Sequence, residues 1–277
     1  MNTVGVDDAE PQEVARPGST PRDAGSAPGT SPAGRWWGHP LREYGWPIEF
    51  AALLADPVWR GEGVADGEGR PVLLIPGFMA GDASLGTMAR WLRRRGYRAE
   101  LSGIRWNVGC ADRILDGLHT RLDRLHERTG QPVAVVGHSR GGLLGNALAG
   151  LRPERVSQVI TLGSPLADNN DISVLTNLAV TGARRLEYGL HPESRRRGCF
   201  TSACDCSYAR GVAAQQSRAV PLTCVLTPDD GIVAPTACSL PGARTIEVRG
   251  GHIALAWNAQ VYRVLAQELA RSRPHQR

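Results

Sequence analysis

The chain has 277 residues, of which 42% are hydrophobic and 21% are charged, and its formal net charge is +5. These fractions are those of an ordinary globular protein, so they exclude a collagen-like, coiled-coil or wholly disordered chain. No apolar run approaches the roughly 18 residues that a membrane-spanning helix needs. All of the positive charge comes from arginine, in short isolated runs, which argues against nucleic acid as a partner.

The first part of the chain differs in composition from the rest. Residues 1–34 are rich in Pro, Gly, Ser, Thr and Ala, and we expect them to be a disordered leader. They lack the features of a secretory signal, so a cytoplasmic protein with reduced cysteines is expected. Residues 35–69 form a tryptophan-rich arm with a short helix predicted at 47–54. The arm is interpreted either as packing across the main domain or as a patch that contacts a membrane.

From residue 70 onward, apolar runs typical of buried parallel strands alternate with amphipathic segments typical of helices. The predicted strands cover residues 72–75, 97–101, 133–136, 156–162, 222–226 and 245–248. The predicted helices cover residues 85–95, 112–128, the segment that follows Gly141, and 260–269. This alternation predicts an α/β domain at 70–277 with a doubly wound, mostly parallel sheet. The connection at 166–219 is long for a crossover and is predicted to be an inserted cap or lid.

Residues 137–141 read Gly-His-Ser-Arg-Gly and stand directly between a predicted strand and a predicted helix. In this setting a G-x-S-x-G sequence forms a strained turn that exposes the serine hydroxyl at the carboxyl edge of the sheet. The positions two residues on either side must be small. We therefore predict that Ser139 is a nucleophile. A glycine-rich turn used only for packing or for phosphate binding is the alternative.

A serine hydroxyl needs a base that takes its proton and a carboxylate that orients the base. Asp230 follows the fifth predicted strand and His252 follows the sixth, which gives the order serine, acid, histidine. Asp229 is the alternative acid. Asp230 is preferred because residues 231–233 would return an apolar pair to the core. His138 is expected to pack or hydrogen-bond beneath the turn and not to act as the base.

The reaction also needs two backbone amides directed at the oxygen that becomes negative. One is expected from Arg140, the residue after the nucleophile. The other is expected from Phe78, where Gly77 lets the chain turn after the first strand. The side chain of Phe78 is interpreted either as lining an acyl pocket or as core packing.

The segments LLIPGF, VVGHSRGG, VITLGSP, PDDGIV and PGARTIEVRGGHIAL resemble the α/β-hydrolase superfamily, and within it the small bacterial lipases and EstA-type esterases. The resemblance covers residues 72–269. It implies an α/β-hydrolase fold and an esterase or lipase that hydrolyses small-molecule or lipid esters without a metal or organic cofactor. The site residues that it implies are Ser139 as nucleophile, Asp230 as acid, His252 as base, and the amides of Phe78 and Arg140 as oxyanion hole. Arg140 stands where these lipases often have methionine or glutamine, so a charge is expected at the pocket edge.

Several interpretations stay open at this point. Acyl transfer and thioester hydrolysis use the same acyl-enzyme, and a pseudoenzyme that binds acyl ligands or membranes is a further alternative. Peripheral contact with a membrane also stays open, and the sequence does not determine the oligomeric state. The cysteines 199, 204 and 206 lie close together in the predicted lid, but the four ligands of a zinc site are not nearby. A thiol cluster, or a disulfide after export, is therefore preferred to a metal site.

Overall fold

The computed structural model of the protein describes residues 40–169, 171–196, 199, 206–217 and 219–271. The predicted leader at 1–34 and Cys204 lie outside these residues. In the described part, six strands form one parallel sheet in the order β2-β1-β3-β4-β5-β6. The strands are β1 (Pro71–Ile75), β2 (Arg98–Leu101), β3 (Val133–His138), β4 (Val156–Leu162), β5 (Leu222–Leu226) and β6 (Arg244–Glu247). Each predicted strand is confirmed to within two residues at its ends.

Helices and short 3-10 turns connect the strands. The helices are α1 (Trp46–Ala55), α2 (Pro57–Arg60), α3 (Gly86–Arg94), α4 (Ala111–Thr129), α5 (Arg140–Leu151), α6 (Val174–Leu190), α7 (Pro192–Arg196), α8 (Ser207–Gln215) and α9 (Ala259–Arg271). The 3-10 turns are Pro40–Gly45, Asp82–Leu85, Pro235–Cys238 and Ile253–Ala256. Helical spacing of apolar residues accounts for α4, whose buried stripe consists of Leu115, Leu118, Leu122 and Leu125.

Both faces of the sheet are covered by helices. On β1, Val72 and Leu74 pack in one cluster with residues of α3 and α9, whereas Leu73 and Ile75 pack in a second cluster with residues of α4 and α5. Because both faces are buried, the strand reads as a continuous apolar run without alternation. The predicted doubly wound parallel sheet is confirmed.

The tryptophan-rich arm packs against the last helix and its neighbours. The indole Nε1 of Trp91 on α3 donates to the carbonyl of Val58 on α2 at 2.9 Å. The ring centroids of Trp59 and Tyr262 lie 6.3 Å apart, and those of Trp46 and Trp257 lie 5.2 Å apart. The described arm is therefore part of the packed domain. Its contact with a membrane stays a prediction.

The long connection at 166–219 does not have a single role. Gly211 of α8 lies so close to α5 that a Cβ there would stand 2.3 Å from the carbonyl oxygen of Ala147. Tyr208 and Val212 of α8 pack on the core beneath α5. Helix α8 therefore belongs to the helix layer of the sheet, and a cap formed by α6 and α7 stays a prediction. None of the helices in the described ranges is long and apolar enough to cross a membrane.

Candidate active site

The predicted site residues follow the carboxyl ends of four parallel strands. Phe78 follows β1, Ser139 follows β3, Asp230 lies beyond β5 and His252 lies beyond β6. Because the strands are parallel, these ends share one edge of the sheet. In open α/β sheets ligands bind at this edge.

Ser139 occupies the tight turn between β3 and α5. Its backbone φ is +52°, a left-handed conformation that is strained for a residue with a side chain. A Cβ on Gly137 would lie 2.4 Å from the backbone of Gly141, and a Cβ on Gly141 would lie 2.1 Å from the carbonyl oxygen of Ile75. Both glycines are therefore required by close backbone approach, as the spacing of the motif predicts.

Asp230 and His252 contact each other in the interior. The imidazole Nδ1 of His252 lies 2.7 Å from Oδ2 of Asp230, and the two residues are 3% and 1% exposed, respectively. The second oxygen of Asp230, Oδ1, accepts from the amides of Ile232 at 2.8 Å and Val233 at 2.7 Å. The structure thus places Asp230 against His252, whereas Asp229 is half-buried and its own amide donates to Thr227.

This contact determines the charge and tautomer of His252. A carboxylate can only accept, so Nδ1 carries the proton and Nε2 is left to receive one. Burial lowers the pKa of His252, but the neighbouring Asp230 carboxylate outweighs it, and the pKa is raised above 6.5. The imidazole of His252 is therefore neutral only above this raised pKa.

The carboxyl end of β4 contacts both the serine turn and the histidine. The amide of Ser139 donates to the carbonyl of Leu162 at 2.7 Å. The next residue, Gly163, lies against the imidazole, since a Cβ there would stand 2.9 Å from Nδ1 of His252. In the described part of the chain the Ser139 hydroxyl makes no hydrogen bond, so the hydroxyl–imidazole bond is not formed here. Such bonds are often long in unliganded enzymes and tighten when substrate binds.

His138 supports the histidine loop, as expected for a residue beneath the turn. Its Nε2 lies 3.0 Å from the carbonyl oxygen of His252, and the two ring centroids are 5.0 Å apart. Burial, together with the nearby His252, lowers the pKa of His138 to about 4. His138 is therefore neutral at physiological pH and adds no charge beside the candidate base.

Two backbone amides adjoin Ser139 without a partner in the described residues. They are those of Phe78, in the loop after β1, and Arg140, at the start of α5. Gly77, in the loop after β1, lies directly against the serine turn, because a Cβ there would stand 3.2 Å from Cβ of Ser139. Two amides that have no partner among the described residues are what the expected oxyanion hole requires.

Asn107 joins the two loops that carry these amides. It is fully buried, and its Nδ2 donates to the carbonyl of Pro76 at 2.8 Å. Its carbonyl accepts from the amide of Met79 at 3.1 Å and from the guanidinium of Arg140 at 3.1 Å. Its Oδ1 accepts from the same guanidinium at 3.0 Å. The Arg140 guanidinium therefore donates within the protein, to the carbonyls of Asn107 and Gly109. Burial lowers the pKa of Arg140 to about 10.

Motif analysis missed two residues that contact the candidate site. Asn107 is one, and Glu43 of the arm is the other, because its carboxylate accepts from the backbone amides of Gly231 and His252. Neither stands in a recognisable motif. Each side chain makes hydrogen bonds to backbone groups of distant residues, and such bonds leave no pattern in the sequence.

One cysteine of the predicted lid contacts a cysteine outside it, and the predicted grouping with Cys204 stays a prediction because Cys204 lies outside the described residues. The thiol of Cys199 lies 3.3 Å from that of Cys110, at the start of α4. Cys206 directly precedes α8, and the amide of Ser207 donates to the carboxylate of Asp112 at 2.8 Å. Within the described ranges no group of three or more His, Cys, Asp or Glu residues is placed to hold a metal ion.

Comparison with known proteins agrees with this architecture. A family model described as the alpha/beta hydrolase fold matches residues 104–185, which include β3, the serine turn and α5. No curated protein matches the sequence.

Solved structures are similar in fold and distant in sequence. The mature lipase BlEst2 of Bacillus licheniformis shares 15% identity at a TM-score of 0.53, over 74% of this chain and 94% of that one. A soluble variant of monoglyceride lipase from Saccharomyces cerevisiae shares 14% identity at a TM-score of 0.53, over 76% of this chain and 89% of that one. BpoC of Mycobacterium tuberculosis, named as a non-heme bromoperoxidase, shares 16% identity at a TM-score of 0.51, over 76% of this chain and 95% of that one. At these identities the similarity concerns the fold, and function has to be argued from the site.

Replacement of Asn107 by alanine is expected to lower the free energy of unfolding by about 1–3 kcal/mol, because the carbonyl of Pro76 and the Arg140 guanidinium lose buried partners. The measurement is urea denaturation followed by circular dichroism. Asn177→Ala, on the exposed side of α6, is the control, and its free energy of unfolding should stay within about 0.5 kcal/mol of the wild-type value. Equal stability of the two variants would contradict the role of Asn107.

Proposed function

Because this chain has the α/β-hydrolase fold, we propose that it is a serine hydrolase that cleaves carboxylic esters through an acyl-enzyme. The observation that carries the proposal is the buried contact between Asp230 and His252, at the same edge of the sheet as Ser139 on its strained turn. A fold alone does not imply a reaction. This constellation supports acyl transfer to a serine, since it combines a serine hydroxyl on a strained turn with an imidazole that a carboxylate orients.

In the proposed first half-reaction, rotation of the Ser139 side chain brings its hydroxyl to Nε2 of His252. The hydroxyl oxygen attacks the ester carbonyl carbon while its proton passes to Nε2. The resulting imidazolium is stabilised by the carboxylate of Asp230 at Nδ1. The carbonyl oxygen becomes negative and accepts from the amides of Phe78 and Arg140.

Collapse of this intermediate breaks the bond to the alcohol, which leaves with the proton from Nε2. The acyl group remains on the oxygen of Ser139. In the second half-reaction water loses a proton to the same Nε2 and attacks the acyl carbon. The bond between the acyl carbon and the oxygen of Ser139 then breaks, the acid leaves, and the proton on Nε2 returns to the serine oxygen. The proposed substrates are small-molecule or lipid esters. The lipase names among the structural neighbours accord with this class at the level of fold only.

Ser139→Ala is expected to retain the fold and to lose nearly all hydrolysis of p-nitrophenyl butyrate, because no other hydroxyl occupies the turn. A fluorophosphonate should label the wild type at the peptide that carries Ser139, and this variant should not be labelled. Ser157→Ala, at the opposite end of β4, is the control and should keep both activities. Labelling and turnover that survive in Ser139→Ala would refute the proposal.

Asp230→Asn is expected to lower kcat about 10⁴-fold, since an amide at this position favours the tautomer that protonates Nε2 of the base. The neighbouring variant Asp229→Asn should keep kcat close to the wild-type value, because it leaves the contact with His252 intact. Steady-state kinetics on the same ester measures both. A larger loss in Asp229→Asn would reverse the assignment of the acid.

Activity should fall as pH decreases, with its midpoint above pH 6.5. His252 acts as the base only when neutral, and Asp230 raises its pKa from the ordinary value of 6.5. His138 does not titrate in this range, because burial holds its pKa near 4. The pH dependence of kcat/KM measures the midpoint. A profile that stays flat from pH 8 down to about pH 5 would show that His252 is not the base.

A further inference from the structure

Glu43 brings a carboxylate of the arm into the interior beside the candidate site. It lies in the 3-10 turn Pro40–Gly45 and is only 8% exposed. Its Oε1 accepts from the amides of Gly231 at 2.9 Å and His252 at 3.0 Å, and its Oε2 accepts from the amide of Ile253 at 2.8 Å. All three donors are backbone groups, so the contact does not depend on the side chains of these loops.

These amides belong to two different loops. Gly231 follows Asp230 directly in the loop after β5, whereas His252 and Ile253 stand in the loop after β6. A single carboxylate therefore spans the acid loop and the base loop from the side of the arm. We propose that Glu43 is a positioning residue that fixes the distance and orientation between Asp230 and His252. This inference rests on the proposed function, because it concerns the geometry of that site.

The burial of Glu43 argues for such a role. A buried carboxylate is costly unless hydrogen bonds satisfy it, and charge-assisted bonds to amides are strong. Among the described residues Glu43 forms no ion pair, so backbone donors of the two loops are what balance it. The approach is close, since a Cβ on Gly231 would stand 3.1 Å from Oε1 of Glu43. A side chain that only filled space here would not need a charge.

Glu43 also belongs to the charges that surround the imidazole. The groups that face His252 are Asp230 at Nδ1, Glu43 at the backbone of the same residue, and His138 at 5.0 Å between ring centroids. Burial lowers the pKa of His252, Asp230 raises it most, and Glu43 adds to that rise. Loss of the Glu43 charge is therefore expected to shift the acidic limb of activity to lower pH. A residue with a merely structural role would not move this limb.

The test compares Glu43→Ala and Glu43→Gln with the control Glu49→Gln in the full-length chain. Glu49 is a second glutamate of the arm, but its carboxylate contacts Asn258 and not the amides of the two loops. We expect Glu43→Ala to lower kcat about 100-fold with little change in KM, as misplacement of catalytic groups does. Glu43→Gln keeps one oxygen acceptor and should lose less activity. Its acidic limb should lie at lower pH, whereas Glu49→Gln should match the wild type in both measurements.

An NMR titration of the His252 imidazole gives a readout that does not depend on ester turnover. The pKa of His252 should be lower in Glu43→Gln than in the wild type and unchanged in Glu49→Gln. An unchanged pKa together with an unchanged kcat would overturn the positioning role while leaving the proposed function intact. Absence of turnover and of fluorophosphonate labelling in the wild type would instead refute the proposed function. The titration would still show whether Glu43 affects the pKa of His252. If Glu43→Ala does not fold, Glu43→Gln decides.

Discussion

The Asp230 carboxylate is almost fully buried, so protein groups must satisfy its charge, and the carboxyl edge of the sheet is built around this constraint. One oxygen accepts hydrogen bonds from the amides of Ile232 and Val233, so the loop after β5 turns tightly around its own aspartate. The other oxygen takes the imidazole of His252 and thereby sets its tautomer. The conformation of the loop after β5 and the tautomer of His252 thus have the same origin.

The arm extends this organisation from the far end of the chain. Glu43 and His252 are 209 positions apart, yet they are in direct contact. The packing of Trp46 on Trp257 keeps the arm against the segment that follows the histidine loop. A region that composition marks only as rich in aromatics therefore also supports the site. Leu53 and Val58 of the arm supply buried apolar surface, and Glu43 supplies acceptors for backbone amides that would otherwise be unpaired.

The side of the site that carries the expected oxyanion donors is organised by a different group. Asn107 binds the loop after β1 through Pro76 and Met79, and it binds α5 through the guanidinium of Arg140. The arginine beside the serine is accordingly a structural tie between loops. The presence of Arg140 in the sequence does not by itself indicate a contact between its charge and a substrate, because the guanidinium already donates to acceptors in the protein.

The sequence alone determined the strands, the order of the helices and the turn that carries Ser139. These are local properties, since burial on both faces and close approach at Gly137 leave a direct record in composition and spacing. The sequence also indicated Asp230 over Asp229, and the structure has only Asp230 against His252. Tertiary structure alone decided that α8 joins the helix layer and that Glu43 and Asn107 reach the site. The contacts of Glu43 and Asn107 depend on side chains that bind backbone groups of distant loops. Backbone groups are the same in every residue, so no sequence pattern records the pairing.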